Sequence, residues 1–161
     1  MKLTLLISLC LTLAAHALDQ NSNQQSDIWE IQYGALSLTA IADTDHDGFT
    51  NAMESIAGTN PLDSNSYPKL GMAAGLPGQV DLMWPSEIGK SYGIYGSPDL
   101  NAANFTLLGS VMGDGAAMIE SLTTGNNARY FFKLEPIDVD SDGDGLTDWE
   151  ENKIGFNPFF N

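Results

Sequence analysis

The chain has 161 residues with six lysines and arginines against 21 aspartates and glutamates, a formal charge of −15. That length suits one small domain with appendages, and a hydrophobic content of 43% is ordinary for a globular chain, so global disorder is excluded. Six dispersed basic residues cannot build a phosphate-binding groove or hold an anionic membrane surface, which excludes nucleic acid as a partner.

The first residues read as an export signal. Lys2 opens it, residues 3–13 are an apolar run, and Ala15-His16-Ala17 is a small-x-small cleavage site. The run is too short to span a bilayer, so no transmembrane anchor is expected in the mature chain. Cleavage near Ala17 also removes Cys10, leaving a secreted, extracellular or cell-surface protein without disulfides. Residues 18–27 are polar and rich in Asn and Gln, and are expected to form a disordered leader. Residues 28–42 carry Trp29, Ile31, Tyr33 and Leu36 at a spacing that leaves helix and strand both open. They belong to an N-terminal segment, 28–66, that contains the first of two related motifs.

Aligning residues 43–61 with 140–158 needs no gap and gives nine identities in nineteen positions. The shared set is three alternating aspartates, a glycine, a threonine, a glutamate at position twelve, and then Gly-x-Asn-Pro. Calcium takes six to eight oxygen ligands, and such a loop supplies them from a single short segment. In the first copy Asp43, Asp45 and Asp47 converge, Phe49 offers its backbone carbonyl, Asn51 acts directly or through water, and Glu54 closes the shell with both oxygens. In the second the same roles fall to Asp140, Asp142, Asp144, Leu146, Asp148 and Glu151. Beginning the second register at Asp138 would put Trp149 at position twelve, where it cannot ligate, so the register is fixed. Three carboxylates within five residues repel one another, and a cation offsets that cost. Zinc is disfavoured by one histidine and no cysteine in the loops, and magnesium by its tight octahedral shell. Five carboxylates in the second loop against four in the first predict tighter binding at the second.

Thr50 and Thr147 are placed to cap short helices, Gly58 and Gly155 to end them, and Pro61 and Pro158 follow closely. The pattern resembles the bacterial calcium loops related to thrombospondin type 3 repeats, which implies calcium as the cofactor at two sites. Dockerin modules share the loop but set two copies almost back to back, whereas these lie 97 residues apart.

Between the motifs, residues 67–136 turn to period-two patterning. Val80, Leu82 and Trp84 alternate with Asp81 and Met83, and Tyr130, Phe132 and Leu134 with Phe131 and Lys133. Residues 91–95, 105–112 and 116–122 are further strand candidates, set off by turns at Pro98-Asp99, Gly113-Asp114-Gly115 and Gly125-Asn126-Asn127. The expected fold is mainly β: a small antiparallel β-sandwich flanked by two calcium loops, each followed by a short helix, with residues 137–161 forming the second of these units. The central stretch resembles immunoglobulin- or fibronectin-III-like units of secreted bacterial proteins, a resemblance that implies a fold and no catalytic residues. A sheet domain of this size is marginal alone, so calcium is expected to act as its staple.

No catalytic constellation is visible. His46 occupies a loop position that does not ligate, and the acids outside the loops lie where strands and turns meet solvent. The sequence therefore points to a calcium-rigidified structural or cell-surface module, with adhesion or matrix contact as its use, and not to an enzyme. Two alternatives stay open. One is a carbohydrate-binding module using Trp84, Tyr92, Tyr95 or Tyr130 to stack on a cell-surface glycan, and the other is dockerin-like docking of an extracellular protein.

Overall fold

The computed structural model describes residues 17–101, 104–124 and 129–160. The apolar leader at 1–16 and the Gly125-Asn126-Asn127 turn lie outside the described residues. No helix among the described residues is long and apolar enough to cross a membrane.

Six strands carry the centre of the chain: β1 (Gly71–Ala74), β2 (Gln79–Pro85), β3 (Lys90–Ser97), β4 (Thr106–Met112), β5 (Ala117–Thr123) and β6 (Phe131–Asp138). They form two antiparallel three-stranded sheets in the orders β1-β2-β5 and β4-β3-β6. The mainly β class expected from the sequence is the one observed. Register follows from the alternation. Val80 and Trp84 face Leu122 and Met118 across β2 and β5, while Tyr92 and Ile94 face Pro136 and Leu134 across β3 and β6. The inward side chains meet in a core whose buried members among the described residues are Leu82, Trp84, Tyr92 and Ile94, with Val111, Phe132 and Leu134 among those packed around it. Alternate-facing residues of two sheets can bury little more over strands this short.

Three short helices make up the rest: α1 (Asp27–Tyr33), α2 (Asn51–Ala57) and α3 (Asp148–Ile154). The stretch 28–42 that spacing left undecided thus opens in a helix, capped by the Ser26 side chain on the Trp29 N–H and ended by Gly34 at φ 67°. Thr50 and Thr147 cap α2 and α3 as expected, and Gly58 and Gly155 end them in the left-handed region. Burial of Trp29, Ala35 and Trp149 gives these helices their own core, with Ile28, Tyr33 and Leu38 at its edge.

The helical core docks on the turn between β2 and β3. Gly89 (φ 83°) lies against the backbone at Asp148 and Trp149, so closely that a Cβ there would stand 2.6 Å from the Asp148 carbonyl carbon. Lys90 is buried, pairs with Asp138 at the end of β6, and holds its ammonium 4.9 Å from the centre of the Trp149 ring. Glu87 accepts from Trp149 Nε1 at 3.4 Å and from Lys153 Nζ at 3.0 Å. On the other side, a Cβ on Gly58 would meet Trp149 Nε1 at 2.7 Å, which brings the end of α2 against α3. Both motif helices, 97 residues apart in sequence, therefore share one indole.

The polar stretch read from its composition as a loose leader is held at several points. Leu18 N and Ser26 Oγ donate to Glu150 Oε1 at 2.9 and 2.6 Å, and Ser26 N donates to Ser55 Oγ at 2.8 Å. Its asparagines and its two aspartates satisfy the backbone locally, which a composition count cannot reveal.

Candidate metal centres

Each acidic loop begins with an aspartate that folds the chain round itself. Asp43 accepts the Asp47 N–H at 3.2 Å on Oδ1 and the Gly48 N–H at 3.0 Å on Oδ2. Asp140 accepts from positions four and six instead of five and six, Gly143 N at 2.7 Å on Oδ1 and Gly145 N at 3.2 Å on Oδ2. The third and fifth positions each take the N–H two residues on: Asp45 from Asp47 at 3.2 Å, Asp47 from Phe49 at 2.8 Å, Asp142 from Asp144 at 3.2 Å and Asp144 from Leu146 at 2.8 Å. An N–H at position nine then closes the loop on the carbonyl just ahead of it, Asn51 on Ala42 at 2.8 Å and Asp148 on Val139 at 2.7 Å.

These turns need left-handed backbone at positions four and six. Gly48 and Gly145 supply it at φ 100° and 99°, as their place in the motif predicts. Position four adopts it as well, Gly143 at φ 77° and His46 at φ 66°, a demand visible in the sequence only as the extra glycine of the second copy. His46 is exposed, consistent with a residue that serves the turn and not the ion.

Within each loop the three aspartates bring carboxylate oxygens within 4.8 Å of one another, Asp43 with Asp45 and Asp47, and Asp140 with Asp142 and Asp144. Glu54 and Glu151 at position twelve are buried on the first turn of α2 and α3. Glu54 Oε1 accepts from Thr59 Oγ1 at 3.3 Å, while Glu54 Oε2, Glu151 Oε2, Asp45 Oδ2 and Asp47 Oδ2 are buried without a hydrogen-bond partner. Burial, then the charges of Asp45 and Asp47, push the Glu54 carboxyl up to about 8. The Glu151 carboxyl is pushed up by burial and by the charges of Asp142, Asp144, Asp148 and Asp140. Orphaned carboxylate oxygens facing further carboxylates are costly unless a cation joins them, and an all-oxygen donor set of this kind suits calcium.

Position nine behaves differently in the two copies. Asn51 is anchored through Nδ2 to Thr39 O at 2.8 Å, leaving Oδ1 buried and unpartnered. Asp148 turns both oxygens to Ser141, accepting its N–H and its hydroxyl at 2.7 Å each. The fifth carboxylate of the second loop thus ties position two to position nine while its charge still acts on Glu151. At position seven, the Phe49 ring stacks on Tyr67 at 5.8 Å and fixes the backbone there, and Leu146 is half-buried. Sequence reasoning missed Ser141, and it read Glu150 only as the capping-box partner of Thr147, a box that forms, without its tie to the polar stretch before α1. The Thr-x-x-Glu spacing signalled the box but not the distant partners.

Residues 43–64 and 140–159 both match the bacterial TSP3 repeat family. No curated protein and no solved structure matches the chain. That family is a calcium-binding one of extracellular type, and each matched segment carries an Asp-x-Asp-x-Asp group that could hold a metal ion. The sandwich between them lies outside the match.

Proposed function

We propose that this protein is a secreted structural module in which two calcium ions, one held by Asp43, Asp45, Asp47, Phe49, Asn51 and Glu54 and one by Asp140, Asp142, Asp144, Leu146 and Glu151, lock a small β-sandwich for adhesion or matrix contact. Asp148, the sixth residue expected at the second loop, braces it through Ser141. The observation that carries this reading is the duplicated placement of an orphaned, buried glutamate oxygen beside three converging aspartates. Where calcium stands at about 1 mM, a site with a dissociation constant of about 10 μM adds roughly 2.7 kcal/mol to the folded state. That is a large share of a small domain's net stability, and the sandwich core is small enough to need it.

Export also has physical support. Cleavage after Ala17 would leave Leu18 N, 2.9 Å from Glu150 Oε1, as an α-ammonium, converting an amide hydrogen bond into a charge-assisted one. Among the alternatives, sugar stacking gains nothing from Trp84 and Tyr92, which are 2% and 5% exposed within the core. Protein docking has one observation in its favour: the helices of the two repeats meet, and Met53, Ile56 and Ile154 on them are exposed.

The test is a calcium titration of Asp47→Ala and Asp144→Ala variants. Each is expected to lose one ion of two, and a variant that retains both would refute the assignment of that loop. Expression with the leader in a bacterial host should give a mature chain outside the cytoplasm beginning at Leu18, and retention of the leader inside the cell would refute export.

A further inference from the structure

The polar stretch ahead of α1, together with that helix, repeats the two calcium units position for position. Taking Asp19 as position one places Asn21 at three, Asn23 at five, Ser26 at the cap, Glu30 at twelve and Gly34 at sixteen. Left-handed backbone recurs at positions four and six, Ser22 at φ 58° and Gln24 at φ 71°. The turn hydrogen bonds recur too. Asp19 accepts Asn23 N at 3.0 Å and Gln24 N at 2.8 Å, Asn21 accepts Asn23 N at 3.0 Å, and Asn23 accepts Gln25 N at 2.9 Å. Asp27 N closes the loop on Leu18 O at 2.7 Å, and Asp27 accepts Gln20 N at 3.0 Å just as Asp148 accepts Ser141 N. The helix that follows has seven residues, like α2 and α3, and buries Glu30 as they bury Glu54 and Glu151.

The difference lies at the centre. Asn21 and Asn23 spend their amide oxygens on the turns, as Asp45 and Asp47 spend Oδ1, so their NH2 groups take the place of the orphaned Oδ2 atoms. Asn21 Nδ2 donates to Glu30 Oε2 at 3.2 Å and Asn23 Nδ2 to Glu30 Oε1 at 2.7 Å. Four carboxylates that need a cation are replaced by two carboxylates and two amide donors that satisfy Glu30 directly. This unit also touches both of the others: it donates to Glu150 on α3 and Ser55 on α2, and Trp29 Nε1 donates to Thr59 O at 2.6 Å.

We propose that residues 18–34 are a third, metal-independent copy of the repeat, in which the Asn21 and Asn23 amides stand in for the ion, and that it clamps the two calcium repeats together whether or not calcium is bound. The proposal rests on the calcium reading of the other two loops, and its test separates the two. Calcium is titrated calorimetrically into the native chain and into an Asn21→Asp/Asn23→Asp variant, which restores the Asp-x-Asp-x-Asp…Glu set. The native count tests the two acidic loops, with two ions expected. The difference between variant and native tests the third: a gain of one ion supports it, while no gain, or a native count of three, overturns it. A second measurement needs no variant. The side-chain NH2 resonances of Asn21 and Asn23 in the native chain should stay in place through the titration, and their displacement in step with ion uptake would overturn the proposal.

Discussion

Replacing Gly89 with alanine tests whether the second calcium repeat is seated on the sandwich as described. Two costs add. Gly89 sits at φ 83°, where a side chain costs about 1–2 kcal/mol, less about 0.4–1 kcal/mol recovered from the stiffer unfolded chain. The new Cβ would also stand 2.6 Å from the Asp148 carbonyl carbon and 2.7 Å from Trp149 Cα, backbone that no rotamer change can move aside. Overpacking of that kind costs about 1–3 kcal/mol. The sum, about 1–5 kcal/mol, corresponds to a fall in melting temperature of about 3–18 °C for a chain of this size. Gly78 supplies the control: its φ is 80° and a Cβ there meets nothing within 4 Å, so Gly78→Ala carries the backbone cost alone, about 1 kcal/mol. Thermal melts of both variants in saturating calcium decide the matter. Equal melting temperatures would refute the docking of α3 against the β2–β3 turn.

Three further outcomes follow from the same contacts. Relieving the left-handed strain at position four of the first loop by His46→Gly should raise stability by about 0.5–1 kcal/mol, seen as a small upward shift in melting temperature, and a downward shift would count against strain there. Lys90→Met should cost about 3 kcal/mol by leaving Asp138 without its cation, and Asp138→Asn added to it should cost little more; additive losses in the double-mutant cycle would contradict the pairing. With chelator present, melting temperature should fall as pH rises from about 5 to 8. Glu54 and Glu151 hold their protons more tightly folded than unfolded, so their deprotonation weighs against the folded state across that interval, and calcium should flatten the slope. A flat profile in chelator would contradict the orphaned carboxylates.

The two loops were legible because ligand spacing, turn glycines and helix caps are local, and the observed hydrogen bonds from Asp43 to Phe49 and from Asp140 to Leu146 follow that spacing. Five of the strands were legible because β2 and its neighbours alternate; β1, Gly-Met-Ala-Ala, is exposed throughout and has no alternation to read. What escaped was non-local. The burial of Lys90 is set by Trp149 and Asp138, which meet it only in the folded chain, and nothing near Ser141 announces that Asp148 will turn to it. The segment before α1 looked like low-complexity polar chain because asparagine replaces aspartate at positions three and five and Gln24 replaces the turn glycine. Its register with the other loops emerges from φ angles and hydrogen bonds.

Calorimetry of the mature chain with calcium and with chelator addresses the account at its root. Binding of two ions is expected, together with a loss on chelation of about 10–20 °C in melting temperature if each site contributes roughly 2.7 kcal/mol. No heat of binding and an unchanged melt in chelator would mean that the converging aspartates hold nothing and that the sandwich stands without them.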